Sequence, residues 1–201
     1  LDGQVVDPKL ENNQVVLSVP LVSSADLAPP EPNTRWAYTE TTGFRLHYLT
    51  GSAAERDLES VVDEANDAYR HVTSRLGPSN ERVDVYMMDR VVGQGGFASS
   101  EWVAISYVDR KYVPIALGSL LRHELTHRLD GLLGCDDAPS VLREGLAVYL
   151  AGGHYRTEAL RPRAASLMAS RYGLALEDLA DDFYSHQHEM AYLEAGAWVQ
   201  Y

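Results

Sequence analysis

The pentapeptide His123-Glu124-Leu125-Thr126-His127 constrains this chain more than any other stretch of it. On a helix, residues four apart lie one turn apart on the same face, so both imidazoles can reach a single ion. Glu124 then sits ~100° around from His123 and faces what the ion binds, not the ion itself. Hydrolytic metal sites of this kind take a third protein donor and leave a fourth position open. Glu144 follows His127 after sixteen intervening residues, inside Leu142-Arg143-Glu144-Gly145-Leu146-Ala147. A second helix packed beside the first would bring its carboxylate to the same ion. Nitrogen and oxygen donors at this spacing favour zinc over calcium or magnesium, with manganese or cobalt as substitutes. The pattern predicts peptide hydrolysis at a metal, with His123, His127 and Glu144 as ligands and Glu124 as general base.

Composition narrows the context. With 201 residues the chain fits one domain, or one domain and a tail, and can bury a substantial core. No apolar run approaches the roughly 18–20 residues of a membrane span. The net charge of −12 repels phosphate backbones and anionic lipid, so nucleic acid is excluded as a partner and a peptide or protein substrate is expected. The lone cysteine, Cys135, permits neither an intramolecular disulfide nor a thiolate metal site and reads as a small buried apolar residue. The sequence starts at Leu1 with neither methionine nor leader, and stops at Tyr201 inside an apolar-periodic stretch without a helix stop signal. The expectation is a catalytic domain truncated at its C-terminus, from a parent protein that continues and is extracytoplasmic or secreted. Oligomeric state is not legible.

Residues 1–35 are rich in Pro, Asn, Asp and Ser and read as an extended segment or linker, with 14–19 able to add an edge strand. Trp36 to Tyr48 reads as a hairpin turning at Thr41-Thr42-Gly43. Ala53 to Leu76 reads as an amphipathic helix with Leu58, Val61, Ala65, Ala68, Val72 and Leu76 on its apolar stripe, ended by Gly77-Pro78. Strands are expected at Arg82–Met88 and Trp102–Val108. Between them the glycine loop Val92 to Ser100 lets backbone approach a ligand or simply turns. Pro114 is expected to open the helix of His123 and His127, with Leu117, Leu121, Leu125 and Leu129 buried; Pro139 opens the helix of Glu144, which stops at Gly152-Gly153. From Arg156 on, the chain reads as mostly helical.

The string His123-Glu124-x-x-His127 followed by Glu144-Gly145-Leu146-Ala147-Val148-Tyr149-Leu150 resembles the gluzincin metallopeptidases, and in particular the peptidase MA-like proteins. The likeness spans residues 36–201, a gluzincin-like catalytic domain. It implies a zincin-like α+β fold: an N-terminal antiparallel or mixed sheet, an active-site helix, then a mostly helical half. It implies zinc on His123, His127 and Glu144, with Glu124 as general base. It also implies a tyrosine that stabilises the oxyanion, for which Tyr192 in Tyr192-Leu193-Glu194-Ala195-Gly196 is the counterpart, one residue longer than the usual Tyr-x-x-Gly. The family's aminopeptidase branch clamps the substrate amino terminus with a glutamate, where this chain has Gly95-Gly96-Phe97-Ala98-Ser99. An endopeptidase is therefore expected, with Gly95, Gly96 and Trp102–Ser106 as an open edge for an extended substrate.

Other titratable groups have ordinary readings. His186 and His188 read as exposed residues of a polar loop, with oxyanion assistance as the alternative. His47, His71 and His154 read as surface or core packing. Asp130 reads as a solvated last-turn carboxylate, or as a partner for an imidazole N–H. The rival function is a metal-binding module of a larger cell-surface protein without proteolytic activity. A rival of another class makes the histidines plain core residues, which would bury imidazoles and carboxylates uncompensated at a cost of several kcal/mol.

Overall fold

The computed structural model describes residues 23–26, 33–79, 81–88, 95–107, 116–135, 137–154 and 157–201. The chain divides into two units, Leu1–Asn33 and Thr34–Tyr201. The first contains a 3₁₀ turn at Ser24–Asp26; the strand expected at 14–19 lies outside the described residues.

The second unit begins with the expected hairpin, β1 (Trp36–Glu40) and β2 (Phe44–Leu49), paired antiparallel. Its turn is held by Thr41, whose backbone N–H donates to Phe44 O at 2.8 Å while its hydroxyl accepts the Phe44 N–H at 3.0 Å. A Cβ on Gly43 would collide with the Tyr69 ring, so only glycine lets the turn close under that aromatic. Strict alternation puts Phe44, Leu46 and Tyr48 of β2 inward. The same alternation faces Val83, Val85 and Met87 inward from β3 (Val83–Met88). Two more strands, β4 (Gly96–Ala98) and β5 (Trp102–Ser106), complete an open mixed sheet of order β1-β2-β3-β5-β4. The β2–β3 and β3–β5 pairs are parallel and the outer pairs antiparallel.

The helix expected over 53–76 is broken once, into α1 (Ala53–Arg56) and α2 (Leu58–Leu76). At the break, the Asp57 carboxylate is held by Arg56 at 2.9 Å and accepts from the Tyr107 hydroxyl at 3.1 Å. Val61, Ala65, Ala68 and Val72 of α2 pack on the sheet. Gly77, at φ +97°, ends the helix in a backbone conformation that suits glycine.

Next come α3 (Leu117–Leu132), with the two motif histidines, and α4 (Ser140–Ala151), with Glu144. Leu121, Leu125 and Leu129 are buried against the sheet as expected, joined by Leu120. Pro114 and residues 92–94 of the glycine loop lie outside the described residues. Each of the four buried α3 leucines, Leu120, Leu121, Leu125 and Leu129, contributes roughly 1.5–3 kcal/mol of burial. The remainder forms α5 (Leu160–Ala169), α6 (Leu176–Asp181), a 3₁₀ turn at Phe183–Ser185 and α7 (His188–Gln200). The described unit is thus α+β, an open five-stranded mixed sheet with seven α-helices among the described residues. No described helix is long and apolar enough to cross a membrane.

Two differences from the sequence reading matter for function. Strand β5 is paired on both sides and offers no free edge; the edge is β4, which holds Gly96. Cys135 is exposed, because it falls in the turn that follows α3 instead of on a packed face.

Candidate metal centre

Close packing of three helices builds the site. The Gly118 N–H in the first turn of α3 donates to Glu64 Oε2 of α2 at 2.8 Å, which satisfies an amide the helix leaves unpaired. Helix α4 meets α7 at two glycines: a Cβ on Gly145 would lie 2.6 Å from Ala195 O, and one on Gly196 would lie 2.5 Å from Val148 Cγ1. Glycine beside Glu144 therefore lets α7 approach closely enough to wall the site. Asp130, expected to be solvated, is instead only 2% exposed. Its carboxylate meets the Arg143 guanidinium at 3.3 and 3.4 Å, so α3 and α4 are clamped one residue from Glu144.

The clamp and the helical spacing bring three donors together. His127 Nε2 lies 3.1 Å from His123 Nε2 and 3.2 Å from Glu144 Oε2, and His123 Nε2 lies 3.4 Å from the same oxygen. Donors bonded tetrahedrally to one zinc ion at roughly 2.0–2.1 Å stand about 3.3 Å apart, so this triangle has the size such an ion requires. Two imidazole nitrogens at 3.1 Å can share at most one proton, so a centred cation satisfies them better than protonation does.

Electrostatics point the same way. Burial favours neutral His127, but the hydrogen bond and charge of Glu144 outweigh it and raise its pKa above the usual value. Burial likewise opposes the Glu144 charge, yet hydrogen bonds to His123 and His127 hold the carboxyl far below the usual range. The group is arranged around positive charge. Its donors could hold a metal ion, and their chemistry fits a borderline dication.

Glu124 stands apart from the triangle, as the helical offset requires. It is 6% exposed, and burial pushes its pKa up against the opposing influence of His123 and His127. A Cβ on Gly96 would lie 2.6 Å from Glu124 Oε1, so the carboxylate stands directly against the edge strand β4. The cavity here is about 320 Å³, lined by Gly96, Phe97 and Ala98 on one side and by α3, α4 and α7 residues on the other.

Tyr192 also lines this cavity, with its ring nearly parallel to His123 (27°) at 6.2 Å. Three further wall residues had other readings or none. Tyr184, in the 3₁₀ turn, donates its hydroxyl to Glu144 Oε1 at 2.8 Å, and burial and the Glu144 charge raise its pKa. His154, read as packing, is buried in the cavity wall and stacks on Tyr192 at 4.4 Å. Burial pushes its pKa down to about 4, opposed by Glu189 and reinforced by His123 and His188. His188 is exposed as expected, but it opens α7 and lines the cavity. His186, in the loop before α7, makes an exposed contact with Asp178 O at 3.2 Å, and His47 lies 2.6 Å from Asp84 and stacks on Tyr86 as a packing group.

Compared with known proteins, the chain matches no family model, no curated protein and no solved structure. The case for a function rests on the geometry and chemistry of the site.

Proposed function

We propose that this chain is a zinc-dependent peptidase of gluzincin type, and that its fold is zincin-like. The observation that carries the reading is the 3.1–3.4 Å triangle of His123, His127 and Glu144 with a buried carboxylate, Glu124, set beside it. A bound zinc ion would supply Lewis acidity, polarising the scissile carbonyl and acidifying water. Glu124 accepts a proton from water at its carboxylate and returns it to the leaving amine. Strand β4 binds an extended peptide by main-chain pairing along its outer edge, which sets the peptide against Glu124. Tyr192, in the opposite wall, is assigned to the developing oxyanion. No carboxylate occurs in β4 to hold a substrate amino terminus, so cleavage within peptides is favoured over removal of single residues.

The deciding experiment is Glu124→Gln. The variant is expected to keep the zinc held by His123, His127 and Glu144 while hydrolysis of an internally quenched, N-terminally blocked peptide falls by about 10³-fold or more. An unchanged rate would remove Glu124 from the chemistry. A free aminoacyl-amide reporter turned over faster than the blocked peptide would overturn the endopeptidase assignment.

A further inference from the structure

The triangle uses only part of the ligating chemistry in this cavity. Gly152, at φ +79°, and Gly153, at φ +147°, turn the chain off the end of α4 and point His154 inward, where it is 4% exposed. Across from it stand His188 and Glu189, the first two residues of α7. The His154 and His188 rings lie 4.9 Å apart, much as His123 and His127 lie 4.8 Å apart. His154 Nδ1 lies 3.3 Å from Glu189 Oε1. One ligand atom from each of the three falls within 4.8 Å of the others. The donor set, two imidazoles and a carboxylate, repeats that of the first triangle without sharing a residue with it.

We propose that His154, His188 and Glu189 form a second divalent-cation site in the wall of the same cavity, taking a borderline ion such as Co²⁺ or Zn²⁺ in addition to the first. The nitrogen-rich donor set selects against Ca²⁺ and Mg²⁺, which prefer all-oxygen shells. The buried imidazole is the fixed donor, held by its stacking on Tyr192 at 4.4 Å. The two exposed donors close on the ion by small side-chain rotations. Two features make this site the weaker one. Glu189 is 57% exposed and must lose water and rotamer freedom to bind. The positive end of the α7 dipole also opposes a cation there. With three protein donors, the ion keeps coordination positions for solvent or for a carboxylate-bearing ligand.

The test uses the full 201-residue chain, stripped with chelator and titrated with Co²⁺ by visible absorption and calorimetry. The parent chain is expected to bind two ions, the second at least about tenfold weaker than the first. His188→Ala and Glu189→Gln, both at exposed positions, are each expected to reduce the count to one and leave the tighter site unchanged. The double variant His123→Ala/His127→Ala is expected to lose the tighter ion and keep the weaker. One ion in the parent chain, or a second ion that survives in both α7 variants, overturns the proposal. A double variant that keeps both ions would instead refute the first triangle and leave this site standing.

Discussion

The sheet with α2 and the helical group α3–α4–α7 are built on opposite principles. In the sheet, inward positions of β2, β3 and β5 and the facing stripe of α2 are aliphatic or aromatic almost without exception. Of the eight polar or charged residues that are buried among the described ones, only Thr41 belongs there. The other seven, including Glu124, Asp130, Glu144, His154 and Glu194, lie on α3, α4, α7 or the turn after α4. The first half gains stability from every group it buries. The second buries groups that prefer water and pairs several of them: Asp130 with Arg143, Glu144 with His127 and Tyr184, and Glu194 with the Leu174 N–H. Polar burial thus falls almost wholly in the helical group, whose α3 leucines share the apolar core with the sheet.

The sharpest way to break that contrast is Arg143→Met. It strands the Asp130 carboxylate, 2% exposed, without its cation, and should cost about 3–5 kcal/mol in urea unfolding. It should also weaken metal binding by loosening α3 against α4. A variant within about 0.5 kcal/mol of the parent would show that the clamp is decorative. Next in size is Leu46→Ala in β2, fully buried in the parent, with an expected loss of about 2–5 kcal/mol. Here the folded fraction should bind metal as the parent does; altered affinity would mean that the two halves are not separable. Tyr184→Phe removes only the hydroxyl on Glu144 Oε1. Zinc affinity measured against a competing chelator should fall about tenfold with the melting temperature unchanged, and an undiminished affinity would show the contact to be incidental.

The smallest effect concerns Glu124 in the metal-free protein. Its pKa is raised on folding, so the folded chain keeps a proton that the unfolded chain has already released. Stability therefore falls as pH rises from the ordinary carboxylate range toward the folded pKa. Metal-free Glu124→Gln should escape that fall and equal or exceed the parent above this range. Parallel stability-versus-pH curves for the two proteins would rule the account out.

The two halves also differed in how far they could be read in advance. Period-two alternation in Phe44–Leu49 and Val83–Met88, and the 3.6-residue stripe of α2, are local patterns, and the elements formed where they predicted. His123 and His127 were legible for the same reason, since their spacing lies within one helix. What escaped the sequence depends on contacts between distant residues. Tyr184 meets Glu144 across 40 positions, and Asp130 finds Arg143 across 13. Nothing in the neighbourhood of Asp130 distinguishes a solvated helix-end carboxylate from a clamped one. Strand order is likewise non-local: the segment that precedes β5 in the chain folds back along it and takes the edge. His154 could have been suspected from Gly152-Gly153, a pair able to turn a chain sharply inward.

The closeness of Gly96 to Glu124 separates two kinds of mutational tolerance on one short strand. Phe97, half exposed on β4, can change size or polarity and alter only what the cavity admits. A methyl group at position 96 would press on Glu124 Oε1, the far end of a side chain that can swing aside with little strain. The carboxylate would then leave the place that the proposed hydrolysis assigns to it. Selection for stability alone would be blind at position 96, and selection for turnover would allow no drift there. A library that diversifies this edge should therefore vary 97 and leave 96 untouched.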